Sequence, residues 1–315
     1  MTLKRILFFG LFLFSTLAVA QIIRTEKPDS ISNWKKINKV GLDFTQITFV
    51  NWSAGGNNSI SGLAKGNFIR NYSRENMKWN NELIIRYGIN KQENTDVRKT
   101  DDQINLNSTL GYRKDTISNW YFGGKFSFLT QFANGYNYPN TDKAISKPFA
   151  PAYIFLGIGA EYSRKDLGFT VYLSPLTQKT TLVLDNRLAN EGAFGVQKAV
   201  FDETGTVIIR KGKKHRTELG ALVTSQYKTK IMTNINLDTR ATLYTDYLND
   251  FGNVDVDWQM GVEMIVNKYV RANLGTHLLY DNDIKNKREI DGIQITEGPR
   301  VQWKQIVGVG LEYTF

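Results

Sequence analysis

The chain has 315 residues, of which 41% are hydrophobic and 12% aromatic, and its formal net charge is +10. It contains no cysteine, so an exported fold would use no disulfide bond and no lipid-modified cysteine anchor. Its Lys and Arg residues are scattered along the sequence, which argues against a nucleic-acid partner and favours contact with acidic lipid headgroups or lipopolysaccharide.

The amino terminus has the organisation of an export signal. Two basic residues, Lys4 and Arg5, precede an apolar run, and a cleavage site of the A-x-A type ends at Ala20. The apolar run is too short to cross a bilayer as a helix. We therefore interpret residues 1–20 as a signal peptide.

The rest of the chain is predicted to form about twelve strands, because apolar and polar residues alternate with a period of two. In the second strand, Leu63 and Ile69 break the alternation; in the last, the odd positions are almost all apolar. The predicted spans are 41–54, 60–72, 77–90, 103–113, 119–133, 153–163, 167–176, 215–227, 231–247, 254–266, 269–281 and 301–315.

The connections between the predicted strands alternate between short turns and long loops. The long connections follow strands three, five, seven and eleven and cover 91–102, 134–152, 177–214 and 282–300. All of them would lie at one end of a barrel, which is extracellular when both termini are periplasmic. The 177–214 segment is too long and too apolar for a plain connection, so we expect it to fold as a hairpin over or into the barrel mouth.

These patterns predict an all-β fold, an antiparallel transmembrane β-barrel of about twelve strands in the outer membrane. We assign residues 21–39 to a short periplasmic segment and 40–315 to the barrel. Trp and Tyr residues cluster near both strand ends, as expected for two interfacial girdles. Tyr313 and Phe315, on the apolar face of the final strand, are expected to form the signal recognised by the barrel-insertion machinery.

The inward positions of the predicted strands carry balanced charge, with eight acidic and eight basic residues and one histidine. Balance favours internal ion pairs and a narrow channel over a strongly ion-selective pore. If Lys228–Lys230 form a three-residue turn, Glu218 directly opposes Arg240. The lumen residues that we single out are Glu218, Arg240, Lys125, Glu263, Arg271, His277 and Lys304.

Two sequence motifs carry a family resemblance. The segment 51–59 reads N-W-S-A-G-G-N-N-S, and 174–177 reads S-P-L-T, followed by G-A-F-G at 192–195. Over nearly the whole mature chain the sequence resembles a Bacteroidota outer-membrane family catalogued as a domain of unknown function, number 3078. The resemblance implies a barrel but no known activity. The residues that carry it are Asn51, Trp52, Gly55, Gly56, Ser174 and Pro175.

The glycine pair after the first strand has two interpretations. Gly55 and Gly56 suit a tight turn, because glycine readily adopts positive φ. A ligand-binding loop is the functional alternative, and we favour the turn.

Signals for catalysis are weak. The chain has only two histidines, His215 and His277, and neither lies in a recognisable hydrolase motif. Asp255 and Asp257 share an inward face, which favours an ion-pair network over a metal site. We therefore expect no enzyme, no catalytic residue, no cofactor and no metal.

Three functions remain open, and we favour the first: a narrow, porin-like gated channel or transporter for small solutes. The second is a non-conducting structural or accessory barrel that binds a partner through its extracellular loops. The third, with the least support, is a lipid-modifying outer-membrane enzyme.

Overall fold

A closed barrel of twelve antiparallel strands forms the protein, as the sequence predicts. The computed structural model describes residues 32–48, 57–249, 251–290 and 293–315. The predicted signal peptide and the residues Asn51 to Gly56 lie outside this part of the chain. The barrel strands are β1 (Trp34–Ile47), β2 (Ser59–Arg74), β3 (Met77–Gln92), β4 (Arg98–Tyr112), β5 (Trp120–Thr130), β6 (Ala152–Arg164), β7 (Phe169–Leu182), β10 (His215–Met232), β11 (Ile235–Asp246), β12 (Asp255–Ile265), β13 (Val270–Tyr280) and β16 (Gln302–Thr314).

The remaining elements lie in two connections between barrel strands. Between β7 and β10 are the short helix α1 (Asn186–Asn190), a 3-10 turn (Ala193–Gly195) and the small hairpin of β8 (Val200–Phe201) with β9 (Ile208–Arg210). Between β13 and β16 is the hairpin of β14 (Lys285–Ile290) with β15 (Ile293–Pro299). Barrel strands that follow one another along the chain pair with each other, and β16 closes the barrel against β1.

The connections are sorted between the two ends of the barrel. At one end, which we call the turn end, the connections are short, such as 75–76 between β2 and β3 and 233–234 between β10 and β11. At the other, the long-loop end, lie the extended segments 131–151, 183–214 and 281–301. This confirms the predicted sorting, except that only 93–97 separate β3 from β4, because both strands run further than their apolar cores.

The outer surface is apolar, and the inner surface is polar. On β16, Val307, Val309 and Leu311 are exposed outward, while Lys304 and Glu312 alternate with them on the lumen side. Aromatic residues cluster near the turn end, where the ring centroids of Trp34 and Tyr72 are 5.2 Å apart and those of Trp120 and Tyr162 are 5.1 Å apart. Within the described residues, no helix is both long and apolar enough to cross a membrane.

Two strand boundaries differ from the sequence-based prediction in ways that affect the lumen. β1 begins at Trp34, so the barrel starts before residue 40 and its first strand is not 41–54. β7 continues to Leu182, so Lys179 belongs to the barrel wall, and the connection predicted to start at 177 starts at 183. Polar residues interrupt the apolar pattern in both places, and inward positions of a barrel strand accept them.

The predicted pairing of Glu218 with Arg240 is wrong. β10 extends to Met232, and Thr233-Asn234 form the turn, so Arg240 pairs with Gln226. Glu218 instead pairs with Lys179 on β7. The predicted three-residue turn Lys228–Lys230 is wrong for the same reason, because these residues remain in the ladder between β10 and β11.

Candidate functional site

The lumen is crossed by ion pairs, and the densest group lies near the long-loop end. Lys179 Nζ lies 2.7 Å from Asp255, 3.6 Å from Asp281 and 3.8 Å from Glu218. The Lys179 side chain is only 5% exposed. Arg216 Nη2 bridges to Glu218 at 3.1 Å, so the same carboxylate is held by two cations. We call this group the mouth cluster.

A second ion pair spans the width of the barrel. Arg240 on β11 donates to both carboxylate oxygens of Glu82 on β3, at 2.6 and 3.0 Å. These strands are six positions apart in the twelve-strand ring, so they are diametrically opposed. Arg240 also bonds Asp238 at 3.1 Å, which fixes its guanidinium from its own strand. A bidentate pair of this kind holds its partners in one geometry, and here it bars the middle of the lumen.

Other predicted lumen residues also have partners inside the barrel. Lys125 donates to Thr224 across the lumen at 2.7 Å. His277 lies 3.0 Å from Asp257, and Lys304 Nζ lies 2.8 Å from Asp101.

The two remaining predicted lumen residues lie near the turn end. Glu263 accepts from Asn236 at 2.9 Å. Arg271 differs from the others, because its guanidinium donates to the carbonyls of Asn267 and Val270 in the adjacent turn.

The S-P-L-T motif forms an irregularity in β7. Pairing with β6 shifts between Ile158 and Ala160, and pairing with β10 shifts between Gly220 and Leu222. Proline has no N–H for a ladder, which suits such a bulge. Ser174 Oγ donates to the carbonyls of Ile158 and Leu176, both at 2.9 Å, and satisfies the freed backbone groups. The motif therefore shapes the barrel wall at this bulge.

Two long-loop segments, 131–151 and 183–214, pack together; we call them the plug. Their shared apolar cluster consists of buried Ala150, Val183, Leu188, Ala189 and Val196. The amide of Leu184 donates to the carbonyl of Phe149 at 3.1 Å. Lys147 Nζ bonds Asp185 at 2.7 Å, and Asp185 also caps α1 through the amide of Leu188. Burial alone would raise the pKa of Asp185, but these two hydrogen bonds outweigh it and hold that pKa below its usual range.

The G-A-F-G segment brings the plug to the barrel mouth. Gly192, Phe194 and Gly195 all have positive φ, so the chain makes a sharp turn here. A methyl group added to Gly195 would lie 2.9 Å from Arg216 Nη1 and 3.3 Å from Asp283 Cβ. This contact agrees with the prediction that the 177–214 segment folds at the barrel mouth. The predicted hairpin is only a small part of the segment, since it is limited to β8 and β9.

Cavities remain in the lumen on both sides of the Arg240–Glu82 pair. One, of about 280 Å³, is lined by Lys125, Glu161 and many amide and hydroxyl side chains. Another, of about 580 Å³, is lined by residues of eight barrel strands and reaches Lys39 and Glu312 at the turn end. At the long-loop end the cavity beside the mouth cluster measures about 20 Å³. The lumen is therefore roomier toward the turn end.

Sequence reasoning missed the residues that close the lumen most tightly. Lys179 falls within the connection predicted at 177–214, and the alternation of the sequence gives Glu82 no partner. Among the described residues, no group of His, Asp and Glu side chains could hold a metal ion. Tyr313 and Phe315 stack at 5.6 Å on the barrel edge, and the amide of Phe315 donates to the carbonyl of Asn38 at 2.9 Å.

Comparison with protein families gives one match. The model described as "Protein of unknown function (DUF3078)" matches residues 44–136. This range contains the N-W-x-x-G-G motif but does not reach the S-P-L-T or G-A-F-G segments. No curated protein matches the chain.

Solved structures give matches of low similarity. The translocator domain of the autotransporter NalP from Neisseria meningitidis is 12% identical, with a TM-score of 0.38, and the match covers 99% of this chain and 98% of that one. An outer membrane channel from Pseudomonas putida F1 is 11% identical, with a TM-score of 0.40, and the match covers 92% and 100%.

Proposed function

We propose that the protein is an outer-membrane β-barrel that acts as a gated channel or transporter for small solutes and is closed at rest. The closed ring of strands has no free edge around most of its circumference, and its outer face is apolar, as a lipid-facing wall must be. Its partners would be outer-membrane lipid, lipopolysaccharide and, during assembly, the barrel-insertion machinery, with a small-molecule solute as cargo. No nucleic acid would bind.

The observation that carries this proposal is the arrangement of two barriers in series. The Arg240–Glu82 pair bars the middle of the lumen, and the plug with the mouth cluster covers the long-loop end. The mouth cluster and the Arg240–Glu82 pair combine opposite charges, so an opened lumen would show little charge preference. A barrel of twelve strands is wider than a filled eight-stranded barrel, so removing both barriers should leave a continuous path.

Single-channel recording in planar bilayers tests the two barriers separately. One variant replaces residues 186–212 with a short Gly-Ser turn, which retains the bond from the Val183 amide to the Lys214 carbonyl at 2.7 Å. A second carries Glu82→Ser and Arg240→Ser. We expect little current from the wild type, a small increase from either variant, and an increase of at least tenfold when they are combined.

Two outcomes would contradict the proposal. If the combined variant folds but conducts no better than the wild type, the barrel is not a channel. If the wild type already conducts like an open porin, the two barriers are not gates.

The accessory-barrel function has one specific observation in its favour. Apolar side chains are exposed on the hairpin of β8 and β9, where Ile209 is 69% exposed and Phe201 is 43% exposed. This function predicts a closed barrel in every variant and a stable complex that depends on the hairpin. A lipid-modifying enzyme has the least support, and hydrolysis of added phospholipid by the purified protein would reveal it.

A further inference from the structure

One lysine in the lumen lacks the carboxylate partner that other lumen lysines have. Lys125 on β5 donates to Thr224 Oγ1 at 2.7 Å, and this is its only hydrogen bond within the described residues. Its Nζ also lies 5.6 Å from the centroid of the Tyr172 ring, within the range of a cation–π contact. An ammonium group has three donors, so two remain available here. A carboxylate within 4 Å is present, by contrast, at Lys65, Lys78, Lys179 and Lys304.

The carboxylates that share a cavity with Lys125 already have other partners. This is the lumen cavity of about 280 Å³, and its acidic lining residues are Glu82, Glu161 and Asp257. Glu161 is held by Lys78, and Glu82 accepts both bonds of the bidentate pair with Arg240. Asp257 lies 3.0 Å from His277. A partly buried ammonium group without an anion beside it is unfavourable, so a ligand that supplies an anion would be stabilised next to Lys125.

Neutral hydrogen-bonding groups are numerous in the rest of the lining, so we call this space the amide cavity. Ser127 Oγ donates to Asn107 Oδ1 at 2.7 Å, and Asn107 Nδ2 donates to Asn105 Oδ1 at 2.8 Å. The amide N–H groups of Asn105, which lines the cavity, have no acceptor within the described residues. Thr109 opposes Lys125 in the ladder and adds a hydroxyl to the lining. Amide and hydroxyl groups both donate and accept, so they match the hydroxyl groups of a solute.

The amide cavity extends toward the turn end. Its lining includes residues near the turn-end limits of four strands: Asn71 on β2, Asn80 on β3, Ser163 on β6 and Thr170 on β7. Lys125 lies deeper, in the middle of β5. The volume of about 280 Å³ is just below the roughly 300–1,000 Å³ of sites for drug-sized ligands. The cavity therefore suits a compact solute that enters from the turn end, opposite the plug.

We propose that the amide cavity binds a small carboxylic acid that carries several hydroxyl groups, of the size of a six-carbon sugar acid. Its carboxylate accepts from the Lys125 ammonium, and its hydroxyl groups bond the neutral side chains of the lining, such as Asn105. This inference rests on the proposed transport function and names its substrate class. It concerns the occupancy of one site, whereas the current carried by small ions depends on all the charges along the lumen.

Binding is measured on the intact protein in lipid nanodiscs by isothermal titration calorimetry at neutral pH. The probe is D-gluconate, and two matched compounds each lack one of its features, since D-glucose has no carboxylate and hexanoate has no hydroxyl group. We expect D-gluconate to bind at least tenfold more tightly than either. Equal affinity for D-glucose would show that no cation selects the solute, and equal affinity for hexanoate would show that the hydroxyl groups contribute nothing. Either result would overturn the proposal.

Substitutions of Lys125 test whether this residue selects the acid. Lys125→Gln removes the charge and should lower the affinity for D-gluconate at least tenfold, while the affinity for D-glucose stays within about twofold. Lys125→Arg keeps the charge and should retain D-gluconate binding within about threefold. The matched control is Lys65→Gln, because Lys65 pairs with Asp43 at 3.0 Å and does not line the amide cavity. It should leave the affinity unchanged, and unchanged D-gluconate binding by Lys125→Gln would show that the acid binds elsewhere.

A second position provides the test if heat-modifiable gel migration shows that Lys125→Gln does not fold. Asn105→Asp can still accept from Asn107 but adds a carboxylate to the lining. It should lower the affinity for D-gluconate at least fivefold and leave that for D-glucose within about twofold; equal changes for the two solutes would contradict the site.

All these titrations are made with both barriers in place and without current. If D-gluconate does not bind to a protein whose barrier variants conduct as expected, this inference is wrong and the gating proposal stands. If D-gluconate binds but no variant conducts, the gating proposal is wrong and the binding site stands.

Discussion

Each end of the lumen has a lysine close to carboxylates, but the two lysines differ in burial and in the length of those contacts. At the long-loop end, Lys179 is 5% exposed and lies within 4 Å of three carboxylates. At the turn end, Lys39 is 39% exposed, and its two carboxylate contacts are longer, at 3.5 and 3.9 Å. Burial decides the difference, because ion pairs that water reaches contribute little, whereas a buried charge depends on its partners. The long-loop end is thus held by electrostatics and packing, whereas the turn end contains the larger cavity.

The sharpest test of this comparison replaces one lysine at each end by methionine. Lys179→Met leaves Asp255, Asp281 and Glu218 close together with Arg216 as their nearby cation. We expect a loss of about 3–5 kcal/mol in the free energy of unfolding. Lys39→Met should cost about 0–1 kcal/mol, since Lys39 itself is 39% exposed and its carboxylate contacts are long. Urea unfolding in vesicles, followed by heat-modifiable gel migration, measures both.

A second substitution separates lost pairing from a general effect of removing the lysine. Lys179→Met combined with Glu218→Gln removes one of the crowded carboxylates, so it should recover part of the lost stability. Equal losses for Lys179→Met and Lys39→Met would show that the two ends do not differ electrostatically.

The sequence predicted the wall of the barrel better than its contents. Alternation along β12 and β16 locates those strands to within a few residues, since one face must meet lipid and the other the lumen. The same rule marks Leu63 and Ile69 as exceptions, and both line the larger lumen cavity. These two departures from the alternation therefore identify residues that line the cavity, although the alternation alone does not show why apolar residues face the lumen there.

The lumen contacts were not predictable, because they join strands far apart in the sequence. Arg240 and Glu82 are 158 residues apart, and only closure of the ring brings them together. The sequence also does not determine the register between β10 and β11. Polar residues such as Lys228 continue β10 beyond its apolar stretch, so the sequence predicts the turn too early. The roles of Tyr313 and Phe315 in membrane insertion stay predictions.

Backbone packing gives a second comparison, between the wall at the β7 bulge and the wall of the larger lumen cavity. β6 passes the bulge of β7 so closely that a methyl group on Gly159 would lie 2.0 Å from the Leu173 carbonyl oxygen. In the larger lumen cavity, a methyl group on Gly261 would have its nearest neighbour, the Asp238 carbonyl oxygen, at 3.8 Å. We expect Gly159→Ala to destabilise the barrel by about 1–3 kcal/mol through overpacking, and Gly261→Ala to be near neutral. Equal unfolding midpoints for the two variants would contradict the tight packing inferred at the bulge.

The smallest expected effect concerns pH and the plug. The pKa of Asp185 is lower in the folded plug than in an unfolded chain, where a free aspartate titrates near about 3.9. Its carboxylate therefore stabilises the plug above about pH 4, and that contribution is lost as pH falls through the lower folded-state pKa.

Losing the cap of α1 and the Lys147 bond should cost about 0.5–2 kcal/mol, which would raise bilayer conductance a few-fold in the Glu82→Ser/Arg240→Ser background. Asp185→Ala removes both the cap and the Lys147 bond, so it should show the raised conductance at neutral pH and lose this acid response. Asp166→Ala, which breaks the exposed Arg164 pair at the turn end, should leave conductance unchanged. If acid opens the Asp185→Ala variant as much as its parent, another group controls the long-loop end.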